Sequence, residues 1–172
     1  MKVLVIDTSV CIDLWKGGLL EALGKLRAQV LIPDIVLEEL LRPDHSLVQQ
    51  SGVSTVSISA KGIARAVTLA AQFRQESRVD VYCLVASEET SGILVTGDRS
   101  LAQAARALGL ETHGVLWLMD RLVQEHAVGP NQALLGLQNM LAQGCWLPKH
   151  ECDLRIEEWR GLHGGGEQGT DH

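Results

Sequence analysis

The stretch Val3-Leu4-Val5-Ile6-Asp7-Thr8-Ser9 decides the fold, together with its counterpart Ile93-Leu94-Val95-Thr96-Gly97-Asp98. Each is a short, branched apolar run bounded by turn residues, the pattern of a parallel strand buried on both faces. Each also stops at a carboxylate. Ligands in open α/β sheets bind at the carboxyl ends of such strands, so Asp7 and Asp98 are expected at one edge of one sheet. For Asp7 a purely solvated role is hard to argue, because a charge directly after buried apolar residues is costly unless it is paired or bound to metal.

Outward from these two runs the chain alternates. Strand 1 is predicted over residues 2–7, and Ser9 is placed to cap a helix carrying Val10, Ile12, Leu14 and Trp15, which Gly17-Gly18 breaks. A short helix from Leu19 to Arg27 leads to a second strand, Val30-Leu31-Ile32, and Pro33 suits the first turn of a helix through Arg42. A loop or loose helix reaches Gly52. Val53 to Ser59 then reads as an edge strand, and Lys61 to Glu76 as an amphipathic helix. Asp80 is read as opening the next helix. After strand Ile93 to Thr96, an alanine-rich helix from Asp98 to Leu108 stops at Gly109, and strand Glu111 to His113 precedes helix Val115 to Glu125. This alternation predicts an α/β fold: three layers, α/β/α, around a central and mainly parallel sheet.

Past Gly129-Pro130 the pattern is helical only, with Leu134, Leu137 and Leu141 on one face and a final helix from about Glu151 to Trp159. The expected division is a sheet domain over residues 1–128, a helical extension over 129–162 packed on it, and a disordered tail over 163–172.

The chain has 172 residues, and 46% hydrophobic content is enough for one proper core. No apolar stretch reaches the length of a bilayer span, and the first residues enter a strand pattern without the features of a signal peptide. A cytoplasmic location, away from membrane, is expected. Cys11, Cys83, Cys145 and Cys152 form no Cys-x-x-Cys pair and are read as free thiols; a zinc site from Cys145, His150, Cys152 and His163 matches no standard spacing. The net charge of −6 argues against gripping nucleic acid through the overall field, while carboxylates meant for a cation would produce such a balance. Aromatic residues make up 3%, which disfavours a base-stacking platform of the RNA-recognition or OB type.

Taken in order, Ile6-Asp7-Thr8-Ser9, Pro33-x-x-Val36-x-x-Glu39-Leu40, Ser77-x-x-Asp80 and Thr96-Gly97-Asp98 resemble the PIN-domain nuclease family, over about residues 2–125. His113-Gly114-x-Leu116-Trp117-Leu118 and Gly144-x-Trp146-Leu147-Pro148 look like bacterial and archaeal PIN proteins that extend past the sheet, some of them VapC-type toxins. The resemblance implies that Asp7, Glu39, Asp80 and Asp98 ligate one or two Mg²⁺ or Mn²⁺ ions. It further implies hydrolysis of RNA phosphodiesters by water, leaving 5'-phosphate and 3'-hydroxyl ends, a homodimer and, for a toxin, a small antitoxin partner. The residue types suit this chemistry independently, since hard cations take oxygen ligands. Paired ions can stabilise both attacking and leaving oxygens at phosphorus, so no Ser, Cys or His nucleophile is required.

Thr8, Ser9 and Thr96 are expected to orient the carboxylates through their hydroxyls. Lys16, Arg42, Arg78 and Arg99 lie close in sequence to the acidic motifs and are candidates for phosphate contacts, against their ordinary reading as surface cations. Asp80 and Asp98 would also serve as plain helix caps, and Glu38 competes with Glu39. Asp13, Asp120 and the pair Glu88-Glu89 are read as solvated surface charges, and the histidines show no triad or metal spacing. A haloacid-dehalogenase phosphatase would need a second Asp where Ser9 stands. The standing alternative is a non-catalytic nucleic-acid- or protein-binding module of the same fold.

Overall fold

A computed structural model describes residues 1–164. The strands β1 (Lys2–Ile6), β2 (Ala28–Pro33), β3 (Val53–Val56), β4 (Ile93–Val95) and β5 (Thr112–His113) form one sheet in the order β3-β2-β1-β4-β5. Every pairing is parallel. Helices flank the sheet, so the three-layer α/β/α architecture read from the sequence is the one observed.

The strand order carries the functional geometry. From β1 the chain winds one way through β2 and β3, then returns to the other side of β1 as β4. The crevice at such a reversal, outside the carboxyl ends of the strands, is where doubly wound sheets bind ligands. Ile6 pairs with Val95, so Asp7 and Thr96 leave the sheet side by side. Leu4, Val5 and Ile6 of β1 and Leu94 and Val95 of β4 are wholly buried, each contributing roughly 1.5–3 kcal/mol of burial free energy. That burial holds the register which brings the two ends together.

The helices are α1 (Thr8–Lys16), α2 (Asp34–Glu39), α3 (His45–Gln50), α4 (Ala60–Gln72), α5 (Arg78–Thr90), α6 (Arg99–Ala107), α7 (Val115–Gln124), α8 (Pro130–Ala142) and α9 (Lys149–Gly164), with a 3-10 turn over Leu20–Lys25. Several boundaries differ from expectation. α2 stops at Glu39 instead of running to Arg42, because Leu40 is already extended and Pro43 disfavours helical geometry in the residue before it. Pro33 closes β2 and caps α2 from outside instead of occupying its first turn. The segment expected as a loop or loose helix contains α3, and β3 ends at Val56, short of Ser59. α4 ends at Gln72, so Glu76 lies in a loop instead of a helix.

α8 and α9 join the same continuous core as the sheet. A Cβ on Gly136 of α8 would lie 2.5 Å from Leu19 Cδ1 and 3.0 Å from the Gly17 carbonyl oxygen, so α8 approaches the end of α1 as closely as only glycine allows. Leu134 and Leu137 are buried there, whereas Leu141 faces outward. α9 is seated by Arg155, whose Nε lies 3.0 and 3.1 Å from the two Asp120 carboxylate oxygens and whose second nitrogen reaches Oδ2 at 2.7 Å. Asp120 is therefore an ion-pair anchor, not a solvated charge. α9 extends to Gly164, and residues 165–172 of the expected tail lie outside the described residues.

Candidate metal centre at the sheet edge

Asp7 follows β1 directly and is 5% exposed. Its Oδ1 accepts the Ser9 hydroxyl at 2.6 Å and the Val10 amide at 3.2 Å, and its Oδ2 accepts the Thr96 hydroxyl. Asp7 itself is thus the cap of α1, the role expected of Ser9. Ser9 instead bridges: it donates to Asp7 and accepts the Gly97 amide at 3.0 Å. Burial pushes the Asp7 carboxyl above the ordinary carboxylate range; the bonds from Ser9, Thr96 and Val10 pull it back, and the negative charge of Asp80 adds to the rise. The same burial, with Asp7 nearby, pushes the Cys11 thiol up to about 12 and raises Cys83 well above its usual value. Both thiols stay protonated packing groups.

Asp98 follows β4 by way of Thr96 and Gly97. It caps α6, accepting the Leu101 amide at 3.1 Å, while its own amide donates to Thr96 Oγ1 at 3.0 Å. Asp80 does not open α5. Ser77 is the cap, its hydroxyl accepting the Asp80 amide at 3.1 Å, and Asp80 closes a capping box by accepting the Ser77 amide at 3.1 Å and hydroxyl at 2.7 Å through Oδ2. One carboxylate oxygen of each acid is engaged in capping, so capping and ligation do not compete for the same lone pairs.

The structure adds a residue absent from the sequence reading. Glu76, Asp80 and Asp98 each offer an oxygen, and these lie within 4.8 Å of one another. Three carboxylate oxygens gathered in this way suit a hard divalent cation in their chemistry, since such ions take oxygen ligands. Glu76 accepts the Ser100 hydroxyl. Burial, followed by the charges of Asp80 and Asp98, raises its carboxyl while Ser100 lowers it. Three carboxylates held together in this way repel one another unless a cation intervenes. No local pattern marks it, because the apolar spacing of α4 runs on past Gln72 to the buried Phe73.

Asp7 stands at the same sheet edge, directly after the Ile6–Val95 pair, and the charge of Asp80 adds to the rise of its carboxyl, although it is outside the group of three. Glu39 is exposed on the last turn of α2, with Glu38 exposed beside it. Thr8 is half-buried in the first turn of α1. Arg99 opens α6 next to Asp98 and lines a hollow that also contains Thr96 and Asp98. Arg78 opens α5 with its guanidinium 6.0 Å from the Tyr82 ring centroid. Lys16 ends α1, its carbonyl accepting from Gln143 Nε2 at 2.8 Å, and Arg42 is exposed in the loop after α2.

Other charges read as solvated have partners. Glu88 holds Arg65 at 2.9 Å, Glu89 accepts from Ser59, and Asp13 is half-buried near Cys145 and Lys16. Cys11, Cys83 and Cys152 are buried, Cys145 is half-buried, and all four are free. Among the described residues no helix is long and apolar enough to cross a membrane.

A family model described as DUF3368, PIN domain, matches residues 3–160. No curated protein matches the chain in sequence. Among solved structures, the crystal structure of VapBC2 from Rickettsia felis bound to a DNA fragment from its promoter is similar at 18% identity and a TM-score of 0.49, covering 65% of this chain and 98% of that one. The matched family span takes in the sheet from Val3 onward and each acidic residue discussed above, so the chain belongs to the PIN-domain family, a nuclease family.

Proposed function

We propose that this protein is a metal-dependent endoribonuclease that hydrolyses RNA phosphodiester bonds, leaving 5'-phosphate and 3'-hydroxyl ends. The observation that supports this reading best is the convergence of Glu76, Asp80 and Asp98 within 4.8 Å, beside the buried Asp7. Asp7, Asp80 and Asp98, with Glu76 and Glu39, would hold Mg²⁺ or Mn²⁺. Such an ion supplies charge neutralisation and polarises a phosphoryl oxygen.

The chain's own residues do the rest. Ser9, Thr96 and the Val10 amide fix the Asp7 carboxylate in one orientation. Thr96 couples that orientation to the backbone of Asp98, so the two strand ends move as a unit. Arg99, which lines the hollow with Asp98, gives phosphate oxygens a cationic approach to an otherwise acidic edge, and Arg42, Arg78 and Lys16 are further candidates for phosphate contacts. Water is the nucleophile in this reading; the hydroxyls at the cluster, those of Ser9, Ser77, Thr96 and Ser100, are each donated to one of its carboxylates. The reading places the protein in the cytoplasm, as a homodimer, with a small antitoxin protein as partner if it acts as a toxin.

The test is an assay on a mixed single-stranded RNA pool with Mg²⁺ or Mn²⁺, with and without chelator, using wild type, Asp7→Asn and Asp98→Asn. Cleavage that disappears with chelator and in both variants supports the reading. Binding of RNA without any metal-dependent product would instead make the protein a non-catalytic module.

A further inference from the structure

A hollow of about 470 Å³ opens from the Asp98 side of the cluster, between α6, the start of α7 and the α8–α9 connection. Its volume is that of a small-molecule site, roughly 300–1,000 Å³. Thr96, Asp98 and Arg99 form one end, so it is continuous with the candidate metal centre. The two C-terminal motifs, His113 to Leu118 and Gly144 to Pro148, contribute the far wall, and nothing in the proposed chemistry uses them.

The aromatic groups there are not equivalent. Trp117 is already occupied: His113 stacks on it at 4.1 Å with an interplanar angle of 7°, and Arg121 lies 5.3 Å from its ring centroid. Trp146 lines the same hollow, is 87% exposed and has no stacking partner among the described residues. A tryptophan so open to water, in a chain with four of them, gains nothing for the fold from its position.

The charges complement a polyanion. Arg99 and Arg106 both line the hollow, are exposed and make no ion pair among the described residues. Seven positions apart on α6, they share a face and stand about 10 Å apart along its axis. Arg155 is already committed to Asp120 and Glu151, and Glu151 is the one acid on the wall away from Asp98.

We propose that this hollow is a subsite for single-stranded nucleic acid, taking a nucleotide next to the scissile phosphate. Its base stacks on the Trp146 indole and its flanking phosphates meet Arg99 and Arg106. The proposal rests on the nuclease reading for the position of the scissile phosphate, and on Trp146 and the two arginines for the strand itself. Stacking tolerates any base, because each has a π-face, whereas a duplex presents bases already stacked on one another.

The test measures binding of a short fluorescein-labelled RNA of mixed sequence by anisotropy in chelator, and its cleavage with Mn²⁺. Wild type is compared with Trp146→Ala, Trp146→Phe, Arg106→Ala and Arg106→Lys. Trp146→Ala should weaken binding roughly 5- to 150-fold and lower kcat/KM to match, while Trp146→Phe stays within a few-fold of wild type. Its melting temperature and its thermal response to Mg²⁺ should not change, since the side chain is exposed. Arg106→Ala should reduce the slope of log affinity against log salt by about 1, with Arg106→Lys restoring it. Binding by wild type that is lost in Trp146→Ala, with no cleavage by either, would end the nuclease reading and leave the subsite standing. Equal affinity of wild type and Trp146→Ala, equal affinity for the annealed duplex, or no RNA binding by wild type would overturn the subsite, the last leaving the hollow to a polypeptide segment.

Discussion

Thr96 donates its hydroxyl hydrogen to the buried Asp7 carboxylate across 89 positions of sequence. The same oxygen accepts the Asp98 amide at 3.0 Å. One side chain therefore ties the carboxyl end of β1 to that of β4, and with them the two acids that end those strands.

Thr96→Val keeps the shape and removes both bonds. The Asp7 carboxylate and the Asp98 amide are left short of a partner, at a cost of about 1–3 kcal/mol, which urea denaturation should show. Thr96→Ser should recover most of it. Cleavage should fall further in Thr96→Val than the loss of folded protein accounts for, because the orientation of Asp7 is lost as well.

Asp7→Asn separates stability from activity. Burial holds the Asp7 carboxyl above its ordinary value, so the folded state binds that proton more tightly than the unfolded chain does. In chelator this contribution is present below the unfolded value of about 3.9 and is lost as pH rises through the raised folded value. Glu76 acts in the same direction. At neutral pH in chelator, Asp7→Asn should melt at the wild-type temperature or above it, and with Mn²⁺ it should cleave nothing where wild type cleaves. A clearly lower melting temperature at neutral pH would contradict the placement of a desolvated charge there.

Mg²⁺ or Mn²⁺ should raise the melting temperature by relieving repulsion among Glu76, Asp80 and Asp98. The gain is about 2.7 kcal/mol when free metal is a hundred times its Kd, measured against KCl at matched ionic strength. Asp98→Asn and Glu76→Gln should each shrink the shift. Glu39→Gln, compared alongside, should lower cleavage; an unchanged rate and an unchanged metal response would remove Glu39 from the site and leave Glu76 as its fourth carboxylate.

Arg155→Ala should loosen α9. The guanidinium makes three contacts of 2.7 to 3.1 Å to Asp120, and Asp120 would be left half-buried without them. A loss on the order of 1–3 kcal/mol is expected, with faster hydrogen exchange confined to α9 and its contacts with α8. Faster exchange across the sheet as well would mean that the core α9 shares with the sheet opens as one unit, and that Arg155 does not anchor α9 separately.

Asp7, Asp98, the strands before them and the parallel sheet were legible in the linear chain because burial on both faces leaves a local mark: a short branched run, then a polar stop. Asp80 was legible as a residue but not as a role, since Ser77 and Asp80 can each satisfy the same free amides and only the folded turn assigns the cap. For the same reason only the fold gives the cap of α1 to Asp7 and leaves the Ser9 hydroxyl to hold that carboxylate. Glu76 was hidden because the apolar spacing of α4 continues in register past Gln72, while the actual stop depends on where the chain must turn to reach α5. The hollow beside Asp98 was legible only as two separate motifs, His113 to Leu118 and Gly144 to Pro148, and not as one wall. His113, Trp117 and Trp146 come from β5, α7 and the α8–α9 connection, and they share a wall only because Gly136 lets α8 close on α1 and Arg155 fastens α9 to α7. Side-chain periodicity records what each segment buries; which segments then face one another is set by long-range packing, and no residue carries that information alone.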